Sequence, residues 1–200
     1  MQEFTSFLLS SWDSIVMAVK GFVIPALVFL VLAIVVKGRS WITDVKRALP
    51  ESGLNIQIIL FNTVLILPIL ALAVTWWHSV ISGYGWALID PQFWTGVWMP
   101  VTVFAAVFAG DFVAYWRHRL EHSAILWPSH AVHHSDTEMT WLSLERFHPI
   151  NLLTTFFIDS TALLLLGLPP YAIIANNLVR HYYGYLIHAD LPWTYGPLGK

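Results

Sequence analysis

The sequence predicts an all-α fold: an integral membrane bundle of several spanning helices with a histidine cluster at its cytoplasmic face. Three observations support this prediction. Hydrophobic residues make up 57% of the chain and charged residues only 11%, whereas soluble proteins average about 25% charged residues. Long stretches carry no charge at all, and five of the nine histidines fall within residues 118–134.

The composition also excludes several classes of function. A formal net charge of -2 with no basic run gives no reason to expect a nucleic-acid partner. The absence of cysteine rules out disulfides, thiolate metal sites and a cysteine nucleophile, so any metal must sit on nitrogen or oxygen ligands. The first 15 residues show no cleavable signal pattern, and we expect the first apolar segment to stay in the protein as an anchor.

Three uncharged segments are long enough to cross a bilayer: residues 21–36, 54–77 and 93–110, the first extended by the apolar residues before Lys20. About 20 helical residues span the hydrocarbon core. A soluble domain of 200 residues has no room to enclose three such helices. Residues 1–110 are therefore predicted to form three transmembrane helices.

The distribution of basic residues predicts the orientation of these helices. The connection 37–53 contains Lys37, Arg39, Lys46 and Arg47, whereas the connection 78–92 contains no lysine or arginine. Cytoplasmic loops are enriched in Lys and Arg, so 37–53 and the region after the third span are predicted to be cytoplasmic. We expect a multi-pass protein of the plasma or inner membrane in a bacterium, or of the endoplasmic reticulum in a eukaryote.

Two further apolar stretches follow, separated by Pro169 and Pro170. They predict a helical hairpin over residues 149–190 that returns His188 to the side of the cluster. The polar residues within the hairpin must then face protein rather than lipid: Asp159, Asn176, Asn177 and Arg180. The whole chain, 1–200, is interpreted as one domain, with the histidine region at 111–148 between the spans and the hairpin.

The histidine cluster has the spacing of a metal site. His118 and His122 are an i, i+4 pair on a helix continuing from the third span. After a short break, Pro128 suits the first turn of a second helix that would carry His130, His133 and His134 on one face. Imidazole nitrogens without thiolates favour a transition metal over Mg or Ca. Five histidines exceed the three protein ligands of a catalytic zinc, which indicates two ions, or one ion with supporting histidines.

Two other interpretations use the same residues. HRLEH fits the H-x-x-E-H pattern of a membrane zinc peptidase, with Glu121 as general base, but it leaves His130, His133 and His134 without a role. A non-catalytic bis-histidine haem protein also places histidines on membrane helices. Haem ligands normally come from separated helices inside the bilayer, and two clusters at its surface do not fit that arrangement.

The segments DFVAYWRHRLEH, LWPSHAVHHSDTEMT, RFHP and YLIHAD resemble, in this order, the fatty acid hydroxylase / sterol desaturase superfamily. These membrane enzymes carry histidine boxes of the type HxxxH, HxxHH and a final HxxHH. The resemblance implies a non-haem di-iron oxygenase, with zinc as a possible substitute metal. It would use O2 and electrons from a separate electron-transfer protein to hydroxylate or desaturate a fatty acyl or sterol-like C–H bond.

The resemblance also implies roles for individual residues. The implied metal ligands are His118, His122, His130, His133 and His134, followed by His188 and by His181 as ligand or support. Asp111 and Tyr115 are candidates to orient imidazole N–H groups, and His148 of RFHP to support the site or the fold. The final HxxHH does not occur before Lys200, so we expect the chain to be a fragment.

Overall fold

The computed structural model describes residues 2–192 and 196, with side chains from Trp12 onward. Every regular element in this part of the chain is helical and none is a strand, which confirms the all-α prediction. The α-helices, in chain order, are α1 (Gln2–Lys37), α2 (Trp41–Phe61), α3 (Leu67–Gly83), α4 (Met99–Glu121), α5 (Trp127–His130), α6 (Pro149–Thr154), α7 (Ser160–Leu165) and α8 (Pro170–His188).

Two local features interrupt the nearly continuous helical run from α1 to α3. Gly38 adopts a positive φ of 57° and opens a 3-10 turn, Gly38–Ser40, directly after α1. A π turn, Asn62–Ile66, precedes Pro68. Proline has no N–H and crowds the carbonyl four residues earlier, and a widened turn relieves both problems. The helix therefore continues past Pro68 instead of ending there.

The chain forms two compact units, and the first comprises residues 1–64, 136–146 and 184–200. Its packing centres on Phe29 of α1, which is buried. The Phe29 ring stacks on Trp141 with centroids 6.0 Å apart and meets Tyr185 edge-on at 6.1 Å. This aromatic group holds the segment 136–146 against α1 and the last turn of α8.

The second unit comprises residues 65–135 and 147–183. Small side chains allow close packing of its helices, because a Cβ atom on Gly110 of α4 would overlap the Asn176 side chain of α8. Its buried apolar core is formed by Ala106, Leu163, Leu168 and Ala172. These contacts hold α4, the helix that carries the first histidines, in a fixed position against α7 and α8.

The turn predicted near Pro169 is present within the second unit. Gly167 adopts a positive φ of 62°, and a Cβ atom there would overlap the Ile89 carbonyl, so only glycine fits. α8 begins at Pro170. Of the polar hairpin residues, Asp159 and Asn176 are buried as predicted, but the prediction is wrong for Asn177, which is exposed. His188 belongs to the first unit, and its return to the cluster stays a prediction.

Two helical runs in the described residues are long and apolar enough to cross a membrane, Trp12–Gly83 and Met99–Glu121. The first contains the first two predicted spans. The third predicted span, 93–110, is wrong at its start: Phe93 lies in a 3-10 helix, Pro91–Gly96, and α4 begins at Met99 because Pro100 suits a first helical turn. The number of membrane crossings and the single-domain interpretation stay predictions.

Candidate metal centre

Four of the five clustered histidines converge. His118, His122, His130 and His134 each present a ring nitrogen, and these nitrogens lie within 4.8 Å of one another. The Nε2 atoms of the first two are 3.2 Å apart, and those of the last two are 3.1 Å apart. Neutral imidazole lone pairs that face each other at this distance repel unless a proton or a cation lies between them. Each pair therefore shares either a hydrogen bond or a bound cation.

Helix α4 positions the first pair. It continues from the apolar span as far as Glu121, and the His122 N–H donates to the His118 carbonyl at 3.2 Å, so the helical turn includes both histidines. Residues four apart on a helix are neighbours. The pairing of these two rings follows directly from their i, i+4 spacing.

The second pair is built differently, and here the predicted helix is wrong. α5 has only four residues and ends at His130, and His133 lies in a separate 3-10 turn, His133–Ser135. His130 and His134 still meet. The chain leaves α-helical geometry after His130, and His133 is not among the converging nitrogens. Its ring stacks on Phe147 with centroids 5.3 Å apart and an interplanar angle of 6°, and it also lies 5.6 Å from the ring of His130.

A buried ion-pair network lies behind the cluster. Glu121 is 1% exposed. Nη1 of Arg117 donates to both of its carboxylate oxygens, at 3.0 and 2.9 Å, and the Thr154 hydroxyl donates to Oε1. Nε of Arg117 also donates to Asp159 at 2.9 Å, and Arg180 donates to the second oxygen of Asp159 at 3.2 Å. Two carboxylates and two guanidinium groups thus compensate one another's charge within the second unit.

This network reaches the Nδ1 side of the histidine rings. His130 Nδ1 is 3.5 Å from Oε2 of Glu121 and 3.1 Å from the Asn151 amide nitrogen, and His118 Nδ1 is 4.0 Å from the same carboxylate oxygen. A carboxylate only accepts hydrogen bonds, so it favours the tautomer with the proton on Nδ1 and the lone pair on Nε2. The Asn151 amide nitrogen can only donate, so it would pair with an unprotonated Nδ1 and favours the opposite tautomer of His130.

The four rings differ in exposure. His130 is buried, whereas His118, His122 and His134 are exposed. Burial lowers the pKa of His130 to about 4, and the neighbouring ring of His118 acts in the same direction. The Trp127 ring lies 5.3 Å from His122 and 5.7 Å from His134. The cluster is therefore closed by protein at His130, bordered by an indole, and open on the side of its exposed rings.

Of the other predicted histidines, His148 has a defined structural role. Its Nδ1 accepts a hydrogen bond from the Ile150 N–H at 3.2 Å and caps the N-terminus of α6. His188 Nδ1–H donates to the Gly184 carbonyl at 2.7 Å, in the first unit. His181 is exposed on α8 in the second unit. The roles of His181 and His188 as metal ligands stay predictions, as does that of His133.

Asp111 and Tyr115, the candidates for orienting the imidazoles, are both exposed on α4. The Tyr115 hydroxyl accepts a hydrogen bond from Nη1 of Arg119 at 3.2 Å. Contacts to ring Nδ1 atoms come instead from Glu121 and Asn151. The sequence pattern indicated Glu121 only as a general base and indicated no role for Asn151. The signal in the sequence is that Asn151 is a polar residue at the start of the otherwise apolar hairpin 149–190.

The donor set fits a transition metal. Nitrogen–metal distances of about 2.0–2.1 Å place adjacent ligands on one ion roughly 3.0–3.4 Å apart. The two Nε2 separations, 3.2 and 3.1 Å, lie in this range. Imidazoles without thiolates suit iron, zinc, copper or nickel. Each pair therefore has the spacing of two ligands on one ion, and the four nitrogens, all within 4.8 Å of one another, could hold a metal.

Comparison with known proteins places this site in a family context. Residues 103–200 match the fatty acid hydroxylase family. A curated relative, the ornithine lipid hydroxylase OlsE of Rhizobium tropici, is 32% identical over 109 residues, which cover 54% of this chain and 33% of that protein. The aligned part is thus about a third of the relative's length. No solved structure matches.

The matched region contains the four converging histidines and the whole ion-pair network behind them. The resemblance noted from the histidine boxes is confirmed at the level of the superfamily. Through residues 103–200, the chain belongs to the fatty acid hydroxylase superfamily.

Proposed function

We propose that this protein is a membrane-bound, iron-dependent hydroxylase that oxidises a lipid C–H bond with O2 and with electrons from a separate donor protein. The observation that carries the proposal is the convergence of four imidazoles at the end of an apolar helix, inside the region that matches the family. The relative's name describes that protein as an ornithine lipid hydroxylase. It favours hydroxylation of a membrane lipid here over desaturation.

His118, His122, His130 and His134 would hold the first iron ion. A second ion, as in a di-iron centre, would need further ligands, and His133, His181 and His188 are the candidates. Zinc is accepted by the same nitrogen donors and could replace iron during preparation. Bound iron would supply the activation of O2 that oxidation of an unactivated C–H bond requires.

The surrounding residues have distinct tasks in this proposal. Glu121 and Asn151 fix the ring orientation of His130 through Nδ1. Arg117 keeps Glu121 in place by donating to both of its oxygens. The indole of Trp127 shields one side of the cluster from water, and the exposed rings leave the opposite approach open to O2 and to a lipid carbon.

We further propose that the protein crosses the membrane several times with the cluster on the cytoplasmic side. The two apolar helical runs support a membrane location. The basic connection at 37–53 and the absence of basic residues from 78–92 support the orientation. A cytoplasmic cluster would be accessible to a soluble or membrane-bound electron donor, and its position after α4 would bring it to the membrane surface.

The geometry argues against the two other interpretations. Glu121 is buried, is engaged by Arg117 and Thr154, and approaches the Nδ1 atoms of the rings, so it is not available as the general base of a peptidase. Two axial ligands on opposite sides of one haem iron have nitrogens about 4 Å apart, at roughly 2 Å per bond. The Nε2 atoms within each pair are closer than this, at 3.2 and 3.1 Å, so neither pair leaves space for a haem between its rings.

The test is turnover by the iron-loaded protein with a reductase system and a bacterial lipid extract. We expect hydroxylated lipid whose new oxygen derives from isotopically labelled O2, detected by mass spectrometry. His134→Ala should abolish the product, and His78→Ala, which removes a histidine outside the cluster, should not. Product of equal yield from His134→Ala, or oxygen derived from water, would contradict the proposal.

A further inference from the structure

The first unit contains a cavity of about 360 Å³, a size within the roughly 300–1,000 Å³ of small-molecule sites. One wall is a single face of α1, where Ala26, Phe29, Ala33 and Lys37 recur at helical spacing. Trp141, whose ring stacks on that of Phe29, also lines the cavity. The small side chains of Ala26 and Ala33, next to the buried Phe29, leave an apolar channel that ends at Lys37.

The rim of this cavity carries five charged side chains. Lys37 lies 3.0 Å from Asp44 and 2.9 Å from Asp190, and Arg47 lies 2.6 Å from Glu138. Two cations against three carboxylates leave one negative charge in excess. Asp190 and Glu138 each meet a rim cation through one oxygen, which leaves a second oxygen able to accept from a further donor.

The backbone fixes Asp190 at this rim. Asp190 follows the end of α8 and has a positive φ of 47°, unlike any other described residue that is not glycine. Aspartate tolerates this left-handed conformation better than most residues, but it remains unfavourable. The conformation is held while the carboxylate pairs with Lys37. The backbone conformation and the ion pair with Lys37 therefore fix the Asp190 carboxylate at the charged rim.

The distances along α1 suit a lipid. Ala26 and Lys37 are 11 residues apart within α1, about 16 Å along the helix axis at roughly 1.5 Å per residue. The charged rim lies where the uncharged segment 21–36 ends, and outward residues of that segment, such as Val35 at 74% exposure, are apolar. An apolar channel beneath a polar rim at the end of a span matches an acyl chain with its head group.

We propose that this cavity binds a membrane lipid whose head group carries a primary amine. The acyl chain lies along Ala26, Phe29 and Ala33, and the ammonium group donates to the carboxylates of Asp44, Glu138 and Asp190. A purely anionic head group meets an excess of negative charge there and is disfavoured. That the ligand is a membrane lipid rests on the proposed function; the cavity adds the class of its head group.

The test is equilibrium binding to the full chain in phosphatidylcholine nanodiscs at neutral pH, with empty nanodiscs subtracted. The probes are radiolabelled hexadecylamine and hexadecanoate, which share a chain and differ in charge. Ala33→Phe fills the channel, and Val35→Phe adds the same ring on the outward face of α1. Asp190→Asn removes one rim charge. Thermal unfolding of each variant verifies that it is folded.

We expect saturable binding that favours the amine. Ala33→Phe should weaken it at least about tenfold, because the chain loses most of its apolar contact, and Val35→Phe should leave it unchanged. Asp190→Asn should weaken amine binding by about two- to fivefold, the size expected for a partly exposed charge, without weakening carboxylate binding. Equal affinity for both probes, or no effect of a folded Ala33→Phe variant, would overturn the assignment. Binding requires no turnover, so a failure of lipid hydroxylation leaves this result interpretable.

Discussion

The two halves of the histidine cluster present the same atoms but obtain their geometry in different ways. His118 and His122 are exposed residues at the end of the 23-residue helix α4. His130 is the last residue of the four-residue helix α5, and His134 lies in the 3-10 turn that follows. His130 is buried against Asn151 and Glu121. Secondary structure positions the first pair, and tertiary contacts position the second.

This difference determines how each pair can fail. The separation of the first two rings depends on one turn of a long helix, which most distant substitutions leave intact. The second pair depends on a few hydrogen bonds and on the burial of one ring. Changes to the supporting residues should therefore damage the second pair first, and only changes to the histidines themselves should damage both equally.

Removal of a ligand from either pair should have the largest effect. His122→Ala and His134→Ala should each lower iron affinity by more than the roughly 10–100-fold that supporting residues typically contribute. His133→Ala should lower the affinity for the first iron ion much less, because the His133 ring stacks on Phe147 and contributes none of the four converging nitrogens. Metal stoichiometry by mass spectrometry on purified proteins provides the measurement. Equal metal loss from the His133 and His134 variants would show that both histidines bind the first ion.

A supporting residue of the second pair should have the next largest effect. Asn151→Leu keeps the branched shape and the number of heavy atoms of the side chain but removes the contact to His130 Nδ1, and we expect iron affinity to fall by about 10–100-fold. Asn177→Leu is the matched control, since it changes an exposed asparagine on α8. Iron titration of both variants gives the affinities. If Asn177→Leu lowered iron affinity as much as Asn151→Leu, the effect would not come from the contact to His130, and the second pair would not depend on side-chain support.

Glu121→Gln should act more on stability than on metal binding. The buried carboxylate accepts from Arg117 and Thr154, and loss of its charge should cost about 1–3 kcal/mol of the free energy of unfolding. Iron affinity should fall by less than about tenfold, since Asn151 still contacts His130. Denaturant unfolding in detergent and iron titration measure the two effects. Complete loss of activity with unchanged stability and metal content would restore the general-base role of Glu121.

The sequence predicted those parts of the molecule that depend on local pattern. Helical periodicity predicted the His118–His122 pair, and the paired prolines predicted the turn before α8. It failed for the helix expected past His130, because the helix ends at that residue and His133 lies in a separate 3-10 turn; the role of His133 as a ligand stays a prediction. It also missed Asn151, which lies 21 residues from His130 in the chain. Contacts over such separations have no periodic signature in a single sequence.

The smallest effect should come from the residues that the sequence proposed as ring supports. Asp111 and Tyr115 are exposed on α4, and the Tyr115 hydroxyl accepts from Arg119. Asp111→Asn and Tyr115→Phe should therefore change iron affinity by less than about twofold, and the free energy of unfolding should change by no more than about 0.5 kcal/mol, as for most surface substitutions. Iron titration alongside Asn151→Leu makes the comparison direct. A tenfold loss of affinity in either variant would mean that the first pair also depends on side-chain support, and that the helix alone does not fix its geometry.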